Sequence, residues 1–232
     1  MHLSCLKKQT GVIVLCLVAN LLFCQTKKVA LNFNYMFGKN RLVLNDSTYQ
    51  LERNNTIKFE SLKFYISNIE LLENDVSIFK EKKSYHLLDA DSIYKIISLT
   101  LSSKLKFNKL KFNLGIDSVT NVSGALGGDL DPTKGMYWTW QSGYINFKLE
   151  GKSSLSTHQK KEFQLHLGGY VYPLNTLQAI ILPIGTQNKI TVLFDLQQFI
   201  NKVDLSKQHH IMSPSAEAMH LSKLASTCFK VE

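Results

Sequence analysis

The chain has 232 residues, 44% hydrophobic and 19% charged, a balance that excludes collagen-like, low-complexity and disordered classes. Its 27 basic and 18 acidic residues give a formal charge of +9, but the lysines are scattered among apolar residues, so nucleic acid is not an expected partner. One apolar run alone approaches a membrane, at the N-terminus, which excludes a polytopic membrane protein.

Lys7 and Lys8 precede the uncharged residues 11–23 (GVIVLCLVANLLF), and Gln25 begins a polar stretch. The run is shorter than the roughly 20 residues of a bilayer-spanning helix but suits the apolar region of a signal peptide. Residues 1–24 are therefore expected to direct export, to the periplasm or the outer cell surface. Phe23 stands where a small residue usually precedes a lipidated cysteine, so Cys24 is expected to leave by cleavage. Membrane attachment would need the leader to be retained or lipidated. Cys5, Cys16 and Cys24 all lie in this leader, leaving Cys228. Residues 25–232 can then close no internal disulfide and hold no zinc finger or Cys-X-X-Cys site. Loss of Lys7 and Lys8 lowers the charge to +7, which suits an anionic envelope or an acidic partner.

From Val29 onward, period-two alternation dominates. Val29, Leu31, Phe33 and Tyr35 alternate with Ala30, Asn32 and Asn34; Leu62, Phe64 and Ile66 with Lys63, Tyr65 and Ser67. Leu110, Phe112, Leu114 and Ile116 come next, then Ile145, Phe147 and Leu149, then Phe163, Leu165 and Leu167, then Ile190, Val192 and Phe194. Such strands bury one face and wet the other, as antiparallel sheets do. No stretch of 3.6-residue period separates them, so parallel βαβ units are not expected. The predicted fold is all-β: one antiparallel β-sandwich over residues 25–232 with a short C-terminal helix. Ser213 as cap, Pro214 at the first turn and Glu217 predict that helix, continuing through residues 218–225. A weaker helix is predicted over residues 196–202.

Residues 124–135 (GALGGDLDPTKG) read as a long turn. Asp129 and Asp131 lack the remaining ligands of a calcium loop, so the turn is expected to present the segment after it. That segment holds both tryptophans, in Tyr137-Trp138-Thr139-Trp140-Gln141-Ser142-Gly143-Tyr144. On an extended backbone Trp138 and Trp140 project side by side. Core filling and a pocket at the sheet rim remain equally open for them.

Histidine supplies the other candidate donors. His86 reads as structural and His158 as a surface residue. His166 lies on the strand face opposite Phe163, Leu165 and Leu167, just before Gly168-Gly169. His209, His210 and Met212 precede the C-terminal helix, and Met219 and His220 lie on it. A site of imidazole and thioether without thiolate suits copper, above all Cu(I), better than calcium or magnesium. H-E-x-x-H and G-x-S-x-G are both absent, so no enzyme activity is expected.

Residues 131–144, continuing to 148–151 (KLEG), resemble the signature of the MbnP-like family of exported copper-binding proteins, named for their place beside methanobactin genes. The similarity extends to residues 64–69 (FYISNI), 114–117 (LGID), 166–170 (HLGGY) and, more loosely, Ile211-Met212 with the helix. The chain resembles the broader branch of the family, since it lacks the cysteine pair of the methanobactin-associated members. The resemblance implies that Trp138 is oxidised to kynurenine by a dihaem partner of the cytochrome c peroxidase/MauG type. It further implies one Cu(I) bound with the modified residue and histidine. His166 is the first candidate ligand, since its motif matches the family's; His210 and Met212 are candidates by local chemistry, and Trp140, Gln141 and Tyr144 are expected to support the site. On this reading Trp138 faces outward at the sandwich edge.

Two other readings stand beside it. Paired tryptophans near a Gln/Ser/Tyr turn also suit a cell-envelope module that stacks a sugar ring or a peptide. A purely structural domain would bury both rings away from every histidine.

Overall fold

The alternating segments pair into two sheets packed face to face. The computed structural model describes residues 25–92 and 95–232; the expected leader, with Cys5, Cys16 and Cys24, lies outside the described residues. The smaller sheet is built on Thr26–Phe37, which pairs in parallel with Lys189–Asp195 and antiparallel with Ile96–Ser102. Phe229–Val231 extends it beyond Lys189–Asp195. The larger sheet runs Gln178–Pro183, Lys109–Leu114, Thr56–Glu73, Gly143–Ser153, Glu162–Gly168, His210–Ile211, in that order.

Apolar residues of one parity from both sheets make the main core: Leu31 and Phe33 meet Phe64, Phe112, Phe147 and Leu165. Its rings interlock, with Phe33 5.9 Å from Phe112 and Phe194 5.7 Å from Phe147. Each such side chain contributes roughly 1.5–3 kcal/mol by leaving water, and among the described residues no disulfide assists, since Cys228 is free and buried. Among the described residues no helix is long and apolar enough to cross a membrane.

The expected β-sandwich is thus present, with two departures from a purely antiparallel plan. Thr26–Phe37 with Lys189–Asp195, and Glu162–Gly168 with His210–Ile211, pair in parallel. Alternation could not distinguish these, because a half-buried strand has period two in either orientation.

The alternation itself breaks at bulges, two of which shape the outer face. Leu62, Phe64 and Ile66 point into the main core, but so do Ile69 and Leu71, of opposite parity. The strand slips register between Ser67 and Glu70, where Asn68 takes a positive φ of 51°. A second slip separates Ile145 from Phe147, sending Ile145 to the outer face and Phe147 inward. Asn146 pins that bulge: its Oδ1 accepts from Ile116 N at 2.9 Å and its Nδ2 donates to Thr176 Oγ1 at 2.8 Å. Gly115, at φ +109°, lies so close that an added methyl would sit 2.5 Å from Asn146 Cγ.

Residues 116–145 fold back over the outer face of the larger sheet and create a second core. Tyr65, expected on the wet face, is fully buried there with Ile116, Leu130, Met136, Trp138, Tyr144 and Ile145. Ser67, also expected in solvent, is buried and donates to Gly115 O at 2.6 Å.

The C-terminal helix spans Ala216–Ser226, with Ser215 rather than Ser213 as its cap. Ser215 is extended and its Oγ accepts from Ala218 N at 3.0 Å, which seats Ala218, Leu221 and Ala225 on the main core. The weaker helix forms as Leu196–Ile200, capped by Asp195.

Candidate functional site

Trp138 and its surroundings arise from a hairpin laid on the second core. Tyr137–Trp138 pairs with Gly143–Ser153, with Trp138 opposite Gly143. Residues 139–142 form the turn, with Ser142 at φ +54°. The expected extended W-x-W backbone is therefore absent, and the two indoles diverge. Trp138 is 6% exposed and Trp140 65%. The expectation that Trp138 faces outward is wrong, because the 116–145 segment supplies a core for it. The rings still touch, with centroids 5.8 Å apart and planes tilted by 44°.

His166 lies on the strand that also carries Gly168, against which that indole packs. It shares the outer face of Glu162–Gly168 with Gln164 and Gly168, while Phe163, Leu165 and Leu167 face the main core, as the sequence indicated. Gly168 carries the indole: a methyl there would lie 2.6 Å from Cζ3 of Trp138. Gly168, the seat of the ring, follows His166 by one strand repeat, roughly 7 Å along the backbone.

His166 is 6% exposed, and its Nε2 lies 2.7 Å from Glu150 Oε1. An ionised carboxylate only accepts, so a neutral His166 carries its proton on Nε2 and its lone pair on Nδ1. That Nδ1 is buried without a hydrogen-bond partner, as are Trp138 Nε1 and Gln141 Oε1. The hydrogen bond from His166, opposed by burial and helped by Lys148, holds the Glu150 carboxyl below the usual carboxylate range. Lys148 Nζ lies 3.4 Å from the same oxygen.

The other expected ligands separate. His210 is exposed and stands in register with Gln164, not with His166. It lines a small cleft of about 70 Å³ with His158, Glu162 and His209. Met212, half-buried, follows the last registered pair, Leu165 with Ile211, just outside the strand His210–Ile211. Among the described residues no group of three or more His, Cys, Asp or Glu is arranged to hold a metal ion. Gln141 also lines an apolar hollow of about 140 Å³ with Tyr170, Tyr172 and Pro214.

Tyr144, expected as a supporting residue, instead fastens the glycine-rich turn. Its hydroxyl donates to Leu130 O (3.1 Å) and Gly124 O (3.2 Å) and accepts from Leu126 N (3.0 Å). Tyr144→Phe leaves these groups unpaired and is expected to cost about 1–3 kcal/mol in denaturant unfolding. Asp129 closes the same turn: burial works against its charge, but Lys95 and Lys134 hold its carboxyl below the usual range.

Glu150 and Gly168 were not picked out from sequence. The alternating polar pairs Lys148-x-Glu150 and Gln164-x-His166 on consecutive strands were the signal for the first.

The family model described as MbnP matches residues 26–216. Among solved structures, MbnP from Methylosinus trichosporium shares 14% identity over 78% of this chain and 80% of its own, with a TM-score of 0.59. That likeness concerns the fold. No curated protein matches the chain.

Proposed function

The chain belongs to the MbnP family, and from that premise we propose that it is an exported, non-catalytic copper-binding protein of copper homeostasis. Its Cu(I) site forms when Trp138 is oxidised to kynurenine by a dihaem partner, and His166 completes it. The supporting observation is the state of His166: one ring nitrogen is held by Glu150, the other is buried and unpaired, and the residue lies two positions before Gly168, on which Trp138 rests.

A carboxylate on the far nitrogen is the usual arrangement behind a metal-bound imidazole, since it fixes the ring and raises its basicity. The indole nitrogen of Trp138 is a poor donor, because its lone pair belongs to the aromatic ring. Opening the five-membered ring yields an aryl amine and a ketone in the same buried place, and the amine can donate. Met212, just past the end of the adjoining strand, would add a soft thioether. His210, in the other cleft, is the weaker candidate. Bound Cu(I) would supply no reaction here; the residues hold it and exclude water.

Co-production of the full chain with the dihaem partner tests this reading. The expected product carries the kynurenine mass at position 138 and holds copper, whereas Trp138→Phe and protein made alone hold none. Copper retained by protein with an intact Trp138 would overturn it. Trp140 at 65% exposed and Tyr172 at 93%, beside the 140 Å³ hollow, favour one second reading, a surface that stacks a sugar. Quenching of tryptophan fluorescence by oligosaccharide but not by Cu(I) would select it.

A further inference from the structure

Trp138 is buried with its N–H unpartnered, so no bulky oxidant touches it directly. Trp140 is largely exposed and in ring contact with it. We propose that Trp140 is a relay, giving electrons to an external oxidant and recovering them from Trp138. The inference rests on the reading that Trp138 is oxidised, and names the route.

The hairpin turn fixes both indoles, so electrons cross a ring contact without any large motion. The two buried phenols of the second core, Tyr65 and Tyr144, are poorer carriers. Their hydroxyls are bonded to backbone carbonyls, and burial raises both phenol pKa values. A phenol must shed its proton to be oxidised, and these have no base to take it. An indole forms its radical cation first and sheds the proton afterwards, so Trp140 needs no base.

The surface around Trp140 suits close approach. Residues 138–143 and 169–176 contain no charged side chain, in a chain with 45. Tyr170 Oη donates to Ser142 O at 3.4 Å, joining the two segments, and Val171 and Tyr172 are exposed. Charge depletion with exposed aromatics is the composition of an interface centre.

The chemistry balances. Conversion of Trp138 to N-formylkynurenine breaks the indole C2–C3 bond, adds the oxygen atoms of two waters, and releases four electrons and four protons. The electrons leave singly through Trp140. With the four protons they reduce two molecules of hydrogen peroxide, the terminal oxidant, to four of water. Hydrolysis of the formyl group then consumes one water and releases formic acid, leaving kynurenine. Trp138 Nε1, Gln141 Oε1 in the same hairpin, and His166 Nδ1 are unpaired polar atoms at which water can enter.

The full chain and its Trp140→Phe and Trp140→Tyr variants test the relay in two arms. One uses a soluble ruthenium(III) polypyridyl oxidant made by flash-quench; the other uses the dihaem partner with peroxide. Fragment masses then locate oxygen at position 138. Wild type is expected to be oxidised at Trp138 in both arms. Trp140→Phe falls to the unreacted level with an unchanged melting midpoint, and Trp140→Tyr recovers, since an exposed phenol can release its proton to water. Oxidation of Trp138 in Trp140→Phe at the wild-type rate overturns the relay and leaves the maturation reading standing. Oxidation by ruthenium but never by the partner leaves the relay standing and removes that reading.

Discussion

His166→Ala is expected to abolish copper retention by the matured protein. Residues that only orient a ligand typically cost 10–100-fold in metal affinity, so loss of the ligand itself should exceed about 100-fold. Kynurenine at position 138 should still form, because His166 takes no part in the electron route. Glu150→Gln keeps an acceptor for Nε2 but removes the charge, and an intermediate loss of about 10-fold is expected. Competition titration with a Cu(I) chelator measures both, and Lys148→Met controls for local charge. Acid should act through the same carboxyl. The Glu150 carboxyl, held below its ordinary range by His166, contributes above the unfolded-state value and ceases to contribute as pH falls through its folded one. Folding stability should therefore decline toward acid pH, and Glu150→Gln should flatten that decline. Undiminished affinity in His166→Ala would move the site to the cleft of His158, His209 and His210.

Gly168→Ala is expected to disturb stability and the Trp138 environment together. Its methyl would lie 2.6 Å from Trp138 Cζ3, 2.9 Å from Cη2 and 2.8 Å from Tyr144 O, so ring and backbone must both move. Overpacking of this kind costs roughly 1–3 kcal/mol. The displaced indole should emit at longer wavelength, and copper binding by matured protein should weaken along with stability. A variant as stable as wild type, with unchanged emission, would show that the indole does not rest there. Gly151→Ala is the control away from the site. Its methyl would lie 2.1 Å from Lys58 O, so it should destabilise without altering Trp138 emission.

The residues that make the main core were legible because a strand repeats every two residues. Val29, Leu31 and Phe33, and Phe163, Leu165 and Leu167, are buried as their alternation requires. The same rule placed His166 on the opposite face. It failed at Tyr65 and Ser67, because the cover over that face comes from residues 116–145, distant in sequence. It failed again past Ile66 and before Phe147, where one extra residue in a strand reverses parity. Such bulges leave little local mark: Asn68 and Asn146 are ordinary residues until their partners are known.

What could be read before folding was local and periodic: which segments are strands, and which face their apolar residues take where no bulge intervenes. Three matters were decided only in three dimensions. Trp138 turned inward while Trp140 stayed in solvent, because a hairpin turn replaced the extended backbone and the second core had room for one ring. Glu150 became the partner of His166 because strand register set them diagonally across a ladder. His210 went to a separate cleft because its strand joined the sheet edge in register with Gln164. Each outcome depends on long-range pairing, whose register is fixed by burial summed over whole strands and not by the residues that end up adjacent.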